Sequence, residues 1–392
     1  MASDQHNYSK TYFWNDQKTR AILYQIITAI AVAWLGYYLI SNVQQNMERQ
    51  SIASGFGFLQ KEAAFEIGES LIEYSAADTY GRALLVGVFN TLKVAFVGMI
   101  LTTILGTMIG VFTLSSNWLI SKLGRMYVEV FQNIPVLLQL FFFYALFYET
   151  FPAPRQALNP ITGVYITNRG IDFPVPAPHP AWSAMLWAFA AALVITWLVN
   201  RWSVKRQERS GQQFPMFWTG LAILVGLPAI VWALFGAPLA MDVPELKGFN
   251  FQGGRNISPE FSALLIGLVL YTASFIAQIV RAGIQSISHG QTEAAMSIGL
   301  KPGQVLKLII FPQALRVIVP PLTSQLLNLT KNSSLAVAIG YPDFVQVAGT
   351  TINQTGQAVE GVALMMLVYL TFSLLTSAFM NWYNKKIKIV ER

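Results

Sequence analysis

The chain contains 392 residues, of which 54% are apolar and 13% aromatic, whereas only 11% are charged. Soluble globular proteins carry roughly 25% charged residues, so this chain has too few to cover a water-exposed surface. The composition therefore excludes an ordinary soluble protein and indicates an integral membrane protein. The absence of cysteine also excludes a disulfide framework, thiol redox chemistry and a cysteine-ligated zinc site.

Eight apolar runs are long enough to cross a bilayer, which requires about 20 residues. In chain order they lie near 21–41, 84–114, 126–150, 182–200, 217–239, 261–287, 314–347 and 361–383. Pro320 and Pro321, followed by a polar patch, interrupt the seventh run. The pattern predicts an all-α polytopic bundle of about eight transmembrane helices.

The distribution of basic residues predicts the orientation of this bundle. If the N-terminus is cytoplasmic, the inner segments hold seventeen of the 26 Lys and Arg residues, the outer segments hold seven and the spans hold two. This is the positive-inside pattern, and it predicts that both termini are cytoplasmic. It also explains the net charge of +7 without a nucleic-acid partner.

Two long segments fall on the predicted external side. The segment 42–83 contains the acidic residues Glu62, Glu66, Glu69, Glu73 and Asp78, and an amphipathic helix is predicted for part of it. The segment 151–181 contains seven prolines, which predict an extended loop. The pair of apolar runs that follows, at 182–239, has the pattern of an inserted helical hairpin.

The segment 290–316, between the sixth and seventh runs, is predicted to lie in the cytoplasm as two short helices joined by a turn. Residues 293–298 are compatible with a helix, Gly299 suits a left-handed turn, and Pro302 suits the first turn of a new helix. The apolar residues predicted to share one face of the second helix are Val305, Leu308 and Ile309. Such a helix can transmit a push from a soluble partner into the bundle. The alternative is an interfacial helix without a partner.

The same segment resembles the EAA signature of importer-type ABC permeases, E-A-A-x3-G-x9-I-x-L-P. Phe311 replaces the leucine of that pattern. The residues assigned to an ATPase-coupling loop on this basis are Glu293, Ala294, Ala295, Gly299, Lys301, Ile309 and Pro312.

Segments 129–142, 271–291 and 331–336 resemble the polar amino acid permease family. The first run and the hairpin resemble the longer, eight-span subunits of bacterial general L-amino acid permeases. The resemblance implies a five-helix type I importer core. The predicted organisation is 1–83 as cytoplasmic N-terminus, extra span and external amphipathic segment, 84–150 as the first segment of the core, 151–260 as loop and inserted hairpin, and 261–392 as the second segment of the core with the coupling loop 290–316.

The resemblance implies a transport subunit and not an enzyme. It implies uptake of L-amino acids across the bacterial inner membrane by alternating access, with a second homologous permease subunit, two ATP-binding subunits and a periplasmic binding protein. ATP and Mg would be bound by the ATP-binding subunits, because this chain has no G-x4-G-K-[ST] stretch, and no cofactor is expected in it. The alternative is an ion-coupled secondary amino acid transporter, with Lys331 and Glu129 serving ion coupling.

Polar groups inside a span are costly and therefore indicate function. A lysine amine beside hydroxyls and amides in the seventh run suits an amino acid carboxylate. The alternative is that the hydroxyls and amides satisfy a broken backbone while Lys331 reaches the interface or pairs with an acid. In the third run Glu129, Gln132, Asn133 and Gln139 are predicted to share a helical face. That face indicates either a polar pathway or hydrogen bonds between helices.

The residues predicted to line a substrate pathway are Lys331, Asn332, Ser333, Ser334, Asn133, Gln139, Gln132 and Gln278. Gln278 stands where many members of the family carry an acid, and Gln132 where many carry arginine. No metal ligands are predicted.

Overall fold

The computed structural model of the chain describes residues 17–49 and 54–387. The predicted cytoplasmic N-terminal residues 1–16 and the basic C-terminal residues 388–392 lie outside the described residues. The described helices are α1 (Gln17–Arg49), α2 (Tyr80–Phe112), α3 (Trp118–Asn133), α4 (Val136–Ala145), α5 (Pro180–Ser210), α6 (Met216–Leu234), α7 (Pro259–Gln285), α8 (His289–Ser297), α9 (Pro302–Val305), α10 (Phe311–Asn332), α11 (Phe344–Thr355) and α12 (Ala358–Ile387).

The described residues divide into two compact units. The first contains residues 17–49, 54–95, 326–337 and 342–387, and the second contains residues 96–325 and 338–341. The chain crosses between the units within α2, within α10 and at both ends of residues 338–341.

Seven helices in the described part of the chain are long and apolar enough to cross a membrane. An eighth candidate is the third predicted run, which is not one straight helix but a pair bent by 101°. This pair follows α7 along most of its length. Arg125 and Arg281 line one cavity near the end of α7, and the Tyr144 hydroxyl donates to Glu260 Oε1 at 3.2 Å near its start. The intervening part of α7 is about 30 Å long, the thickness of a bilayer core. We therefore count the bent pair as one broken span and obtain the predicted eight.

A proline explains the break between α3 and α4. Ile134 adopts an extended conformation, with φ of −97° and ψ of 125°, because a residue before proline is disfavoured in the helical region. Pro135 then stands at the start of α4, where its carbonyl accepts from the Leu138 N–H at 3.0 Å. The sequence contained this signal, and the prediction of one helical face from Glu129 to Gln139 did not use it.

Close packing of α2 on α7 depends on two glycines four residues apart. A Cβ at Gly106 would lie 2.7 Å from the Ile276 Cβ, and one at Gly110 would lie 2.8 Å from the Ala277 carbonyl oxygen. This small-xxx-small spacing lets two helix backbones approach closely in a membrane. It places α7, the most buried of the candidate spans, at the centre of the second unit.

The two segments that flank the α5–α6 hairpin form short strands, so the prediction of an extended loop for 151–181 is wrong. The strands are β1 (Leu158–Ile161), β2 (Val164–Thr167), β3 (Gly170–Phe173), β4 (Val175–Pro176), β5 (Met241–Asp242), β6 (Glu245–Lys247), β7 (Asn250–Gln252) and β8 (Arg255–Ile257). β1, β2, β3 and β8 form one antiparallel sheet in that order, and β4 pairs with β5 and β6 with β7.

Prolines do not prevent these strands because they stand at edges and ends, such as Pro160 in the edge strand β1 and Pro176 at the end of β4. Pairing joins the two flanking segments: Ile171 lies opposite Ile257, and the Ala177 N–H donates to Ala240 O at 2.9 Å. The two ends of the hairpin therefore lie side by side.

In the first unit, the predicted amphipathic helix of the segment 42–83 is wrong beyond the end of α1. One turn of 3₁₀ helix forms over Phe56–Gln60, and no helix follows it up to Tyr80. The apolar residues Ala63, Phe65 and Ile67 recur every second position, a period that fits extended chain. They join the cluster formed by residues of α2, α11 and α12. The Asn90 amide fixes the segment by donating from Nδ2 to Glu69 O at 2.8 Å.

The seventh span is not interrupted at its two prolines. α10 continues through Pro320 and Pro321, whose side chains are exposed, and changes to a 3₁₀ helix only over Ser333–Ile339. The span therefore ends at Ile339 and not at residue 347, as predicted. Asp343 then caps α11 by accepting the Gln346 N–H at 2.9 Å.

Candidate functional site

The predicted left-handed turn between α7 and α10 is present and forms a Schellman motif. α8 ends at Ser297, and Gly299 follows it with a φ of +88°, which strains any residue that has a Cβ. The Gly299 N–H donates to Met296 O at 2.9 Å, and the Leu300 N–H donates to Ala295 O at 3.2 Å. These two bonds satisfy carbonyls that the end of α8 would otherwise leave free.

The second helix of the loop is not a separate element, because it continues into the seventh span. α9 begins with Pro302, as predicted, and the Lys301 N–H donates to Gln304 Oε1 at 2.9 Å. A π-helical turn over Leu306–Ile310 then joins α9 to α10. Pro312 follows this turn, and both features depart from the regular bonding of an α-helix.

The π-helical turn changes which side chains the loop buries. Val305 is buried as predicted, but Leu308 is 57% exposed and Ile309 is half-buried, so the predicted shared face is wrong at Leu308. Ile310 is buried instead, because a π turn contains an extra residue and brings position i+5 onto the face of position i.

A small apolar cluster, which we call the loop core, fixes α8 against the ends of α7 and α10. Its buried members are Ala295, Val305 and Ile310, and Ile284 and Ile287 pack on them from the end of α7. Ala295 is therefore the member of the Glu-Ala-Ala triplet that faces the protein. A displacement of α8 must move the two neighbouring spans or break this cluster.

The opposite side of α8 is exposed. Glu293 and Ala294 lie there, and His289 Nδ1 is 3.0 Å from Glu293 Oε1. Ile298, at the tip of the turn, is 77% exposed. A groove of about 830 Å³ runs beside α8, between the residues after α2 and the start of α9. The loop thus exposes an apolar tip and a carboxylate, and the groove lies beside α8 on the side that Thr292 and Met296 line.

A second candidate site is a polar cavity of about 90 Å³ between α3 and α7. Arg125 and Glu129 line it from consecutive turns of α3, and Gln278 and Arg281 line it from consecutive turns of α7. The Arg125 guanidinium is oriented by Ser121, to whose Oγ its Nη2 donates at 2.9 Å. Two guanidinium groups, a carboxylate and an amide can together bind both charged ends of a zwitterion.

Two of the predicted pathway residues on α3 lie beside this cavity and not on its wall. Gln132 Nε2 donates to Ser274 O of α7 at 3.1 Å, and Asn133 Nδ2 donates to Glu129 O at 2.6 Å. Gln132 therefore joins α3 to α7, one turn away from Gln278.

Gln139 does not share a helical face with Glu129, and that prediction is wrong. The break before α4 separates the two helices by a sharp bend. Gln139 is buried, and its Nε2 donates to Phe131 O at 3.0 Å and to Ile134 O at 2.9 Å. The side chain thus satisfies carbonyls that the break leaves open.

The group around Lys331 lies in the first unit, where α10 changes to 3₁₀ helix. The Ser333 hydroxyl donates to Thr330 O and the Ser334 hydroxyl to Lys331 O, each at 2.7 Å. Both serine hydroxyls thus bond to nearby backbone carbonyls. This agrees with the alternative interpretation, in which the hydroxyls satisfy a broken backbone. Lys331 is exposed and Asn332 is half-buried. Their contact with substrate stays a prediction.

Arg125 and Arg281 were not predicted from the sequence as members of a site. Both were counted only as part of the positive-inside pattern. Their spacing could have indicated a site. Arg125 precedes Glu129 by four residues and Gln278 precedes Arg281 by three, which places each pair on one helical face.

Comparison with known proteins decides the class of the chain. The family model of the binding-protein-dependent transport system inner membrane component matches residues 102–389. The chain belongs to this family. The predicted fold class, a helical bundle with a type I ABC importer permease core, is confirmed by that match, and the strands are additions to it.

Three relatives match this permease over nearly its whole length. It is 50% identical to the general L-amino acid transport system permease protein AapQ of Rhizobium johnstonii, over 96% of this chain and 94% of the relative. It is 46% identical to the putative amino-acid ABC transporter permease protein YhdX of Escherichia coli K12, over 95% of each chain. It is 42% identical to the glutamate/glutamine/aspartate/asparagine transport system permease protein BztB of Rhodobacter capsulatus, over 96% of each chain.

The chain is thus a membrane-spanning permease of an ABC importer. It is a transport component and not an enzyme, because its relatives are permease subunits and ATP hydrolysis belongs to a separate subunit. The relatives give no support to the ion-coupled alternative.

Proposed function

We propose that this permease imports L-amino acids delivered by a periplasmic binding protein, and that separate ATPase subunits drive it through the loop between α7 and α10. A second homologous permease subunit and two ATP-binding subunits complete the assembly, and ATP and Mg bind to the latter. The relatives named for amino acid transport support the substrate class. The exposed α8, joined to two spans through the loop core, supports the coupling role.

The mechanism follows from how α8 is held. A soluble subunit that binds the exposed tip at Ile298 pushes on α8, which is held in place by its apolar contacts. The loop core transmits the push to the end of α7. On its other side, α9 continues into α10, so the push also reaches the seventh span. Closure of the ATPase pair thereby moves α7 and α10 together and alternates access.

The turn at Gly299 offers the sharpest test of this coupling. Gly299→Val places a β-branched residue at φ +88°, a conformation that costs about 1–2 kcal/mol, and distorts the turn that presents Ile298. We expect at least a tenfold loss of uptake per ATP hydrolysed in proteoliposomes of the assembled transporter. Gly303→Val is the matched control, because Gly303 lacks a positive φ and a Cβ there meets no neighbouring atom within 4 Å. Normal uptake in Gly299→Val would refute the coupling role.

For the substrate pathway we propose both the cavity between α3 and α7 and the group around Lys331. The Arg125 and Arg281 guanidinium groups suit the substrate carboxylate, and Glu129 suits its ammonium group. Gln278 adds an uncharged amide to the wall of the cavity, and Gln132 on α3 lies uncharged beside it, which suits neutral amino acids as well as charged ones.

The Lys331 group is tested by Lys331→Met, with Lys122→Met as the control at an exposed lysine of α3. We expect Lys331→Met to weaken transport of substrates with a free carboxylate about tenfold while the complex stays intact in detergent. Loss of the complex instead would assign Lys331 a structural role.

We also propose that both termini are cytoplasmic, since the eight spans and the basic residues favour that orientation. Because the chain has no cysteine, single cysteines report their side directly. A membrane-impermeant maleimide should label Thr162→Cys, in the turn between β1 and β2, in cells with a permeabilised outer membrane. It should label Ser210→Cys, at the end of α5, only after the inner membrane is opened. The reverse result would invert the assignment.

Vesicle transport tests the energy source. Uptake should survive collapse of the ion gradients and stop without ATP. Uptake that follows an ion gradient in the absence of ATP would restore the secondary-transporter alternative.

A further inference from the structure

The turn between α5 and α6 concentrates positive charge in a way that amino acid transport does not require. Four basic residues and one acidic residue, Glu208, fall within ten positions at the end of α5 and give it a formal charge of +3. The basic residues are Arg201, Lys205, Arg206 and Arg209. In the described part of the chain, none of these four has a carboxylate oxygen within 4.0 Å.

The position of these cations along α5 places them at the depth of lipid headgroups. The apolar part of α5 runs from 181 to 199, and nineteen helical residues extend about 28 Å, close to the thickness of a bilayer core. Arg201 follows at once, and Arg206 lies about 10 Å beyond the end of the apolar part. Arg201, Lys205 and Arg209 recur every four residues and therefore share one side of the helix.

Aromatic rings orient the arginines at this depth. The Arg201 guanidinium lies 4.1 Å from the ring centre of Trp197, and that of Arg206 lies 5.4 Å from Trp202. Trp202 packs edge-on against Phe214 in the connecting turn, with ring centres 5.4 Å apart. Arg206 also donates from Nη2 to Gln212 Oε1 at 3.1 Å, and its other N–H groups stay available to a phosphate. A guanidinium group held in this way loses less freedom when it binds a phosphate.

The helices of the hairpin are mostly exposed, so lipid can surround them close to these cations. Only 11% of the apolar stretch of α5 and 6% of that of α6 are buried inside the protein, against 61% for α7. Large side chains such as Trp187 and Phe217 are 75% and 74% exposed. Within the described chain both helices therefore leave most of their apolar surface open to acyl chains, with phosphate headgroups at the level of the turn.

We propose that the turn of the α5–α6 hairpin is a binding site for anionic phospholipid headgroups. Arg201 and Lys205 bind headgroup phosphates on one side of α5, and Arg206 binds them on another side, while Trp197 and Trp202 lie at the boundary with the acyl chains. The site makes the hairpin a lipid anchor at the edge of the permease, separate from both the transport pathway and the ATPase-coupling loop.

The proposal is tested on the full-length chain in detergent with spin-labelled phosphatidylglycerol and spin-labelled phosphatidylcholine as probes. Electron paramagnetic resonance measures the fraction of each lipid that is immobilised on the protein. We expect the unmodified chain to prefer phosphatidylglycerol, and the preference to fall as salt is raised. Equal immobilisation of the two lipids would overturn the proposal without any variant.

A double variant locates the site. Lys205→Gln combined with Arg206→Gln removes two charges. Arg201 and Arg209 remain and maintain the orientation of the hairpin in the membrane. Each cation near an anionic surface contributes about fivefold in affinity, so we expect the phosphatidylglycerol affinity to fall about thirtyfold.

The matched control removes the same charge elsewhere, with Lys122→Gln and Lys385→Gln, at two exposed positions on α3 and α12. It should keep the affinity of the unmodified chain. An equal loss in both double variants would show general attraction to positive charge and refute a site at the hairpin.

Discussion

α7 and the α5–α6 hairpin are equally apolar in sequence but have opposite roles in the structure. In α7, 61% of the most apolar stretch is buried, whereas the corresponding shares in α5 and α6 are 11% and 6%. α7 reaches this burial with small residues and with the close approach of Gly106 and Gly110, while the hairpin exposes Trp, Phe and Leu. Apolar composition therefore identifies a membrane helix, but side-chain size and spacing distinguish a helix of the core from one that faces lipid.

The largest effect should come from filling the contact between α2 and α7. In Gly110→Val the new Cβ would lie 2.8 Å from the Ala277 carbonyl oxygen and from the Val280 Cβ, so the helices must separate. We expect a loss of about 3 kcal/mol in stability and little or no uptake. Thermal melting in detergent and transport assays measure the two effects.

The matched control is Gly226→Val in α6, where a Cβ meets no atom within 4 Å. It should change stability by less than about 0.5 kcal/mol. If the two variants behave alike, burial does not distinguish α7 from the hairpin.

A smaller effect is expected at the break between α3 and α4. Gln139→Leu removes the buried donor for two carbonyls, those of Phe131 and Ile134, and should destabilise the protein by about 1–3 kcal/mol. Gln213→Leu, at an exposed position in the hairpin turn, should cost almost nothing. Chemical denaturation of the two variants in parallel measures the difference. Equal stability would mean that water can hydrogen-bond to the Phe131 and Ile134 carbonyls in place of Gln139.

The sheet beside the hairpin should show a weak dependence on pH. Burial raises the pKa of the Asp172 carboxyl above its ordinary value, and the bond from Asn256 Nδ2 at 2.8 Å offsets this in part. The folded state therefore holds the proton more tightly than the unfolded chain does. Stability is greatest at acidic pH and falls as the pH rises through the raised pKa.

Asp172→Asn keeps an acceptor for Asn256 and cannot ionise. Its Tm at neutral pH should exceed that of the unmodified chain by on the order of 2 °C, and the difference should vanish at acidic pH. Asp242→Asn, in the neighbouring strand β5, serves as the control. A difference that persists at acidic pH would assign the effect to packing.

The smallest effect on uptake is expected from removing the hairpin. Ala177 and Ala240, which flank the hairpin, are joined by a hydrogen bond of 2.9 Å. An Asn-Gly turn can therefore replace residues 178–239 between them. Because the hairpin buries so little, the shortened permease should fold and retain uptake within about fivefold, while losing its preference for phosphatidylglycerol. Failure to assemble would show that a neighbouring subunit packs on the hairpin.

The turn chemistry of the coupling loop could be predicted because it is local. Gly299 and Pro302 each have one conformational preference, and both adopt it. The buried face of the second helix could not be predicted correctly, because the π-helical turn over Leu306–Ile310 shifts the register by a residue.

Other features depend on contacts between distant segments. The strands form because segments nearly 90 residues apart pair across the base of the hairpin, as Ile171 does with Ile257. The cavity between α3 and α7 joins residues more than 140 positions apart. The break at Pro135 is different: its signal was local and was available from the sequence.

The continuity of α9 with α10 has a mechanical consequence. On the side of α7, three residues, 286–288, connect the span to α8, and this short non-helical joint can change its angle. On the other side, one rod of 38 residues runs from Pro302 to Ile339. The coupling loop is thus connected to α7 through a short non-helical joint and to α10 through continuous helix. When an ATPase subunit displaces α8, the angle to α7 should change at residues 286–288, while the displacement passes directly into the start of α10.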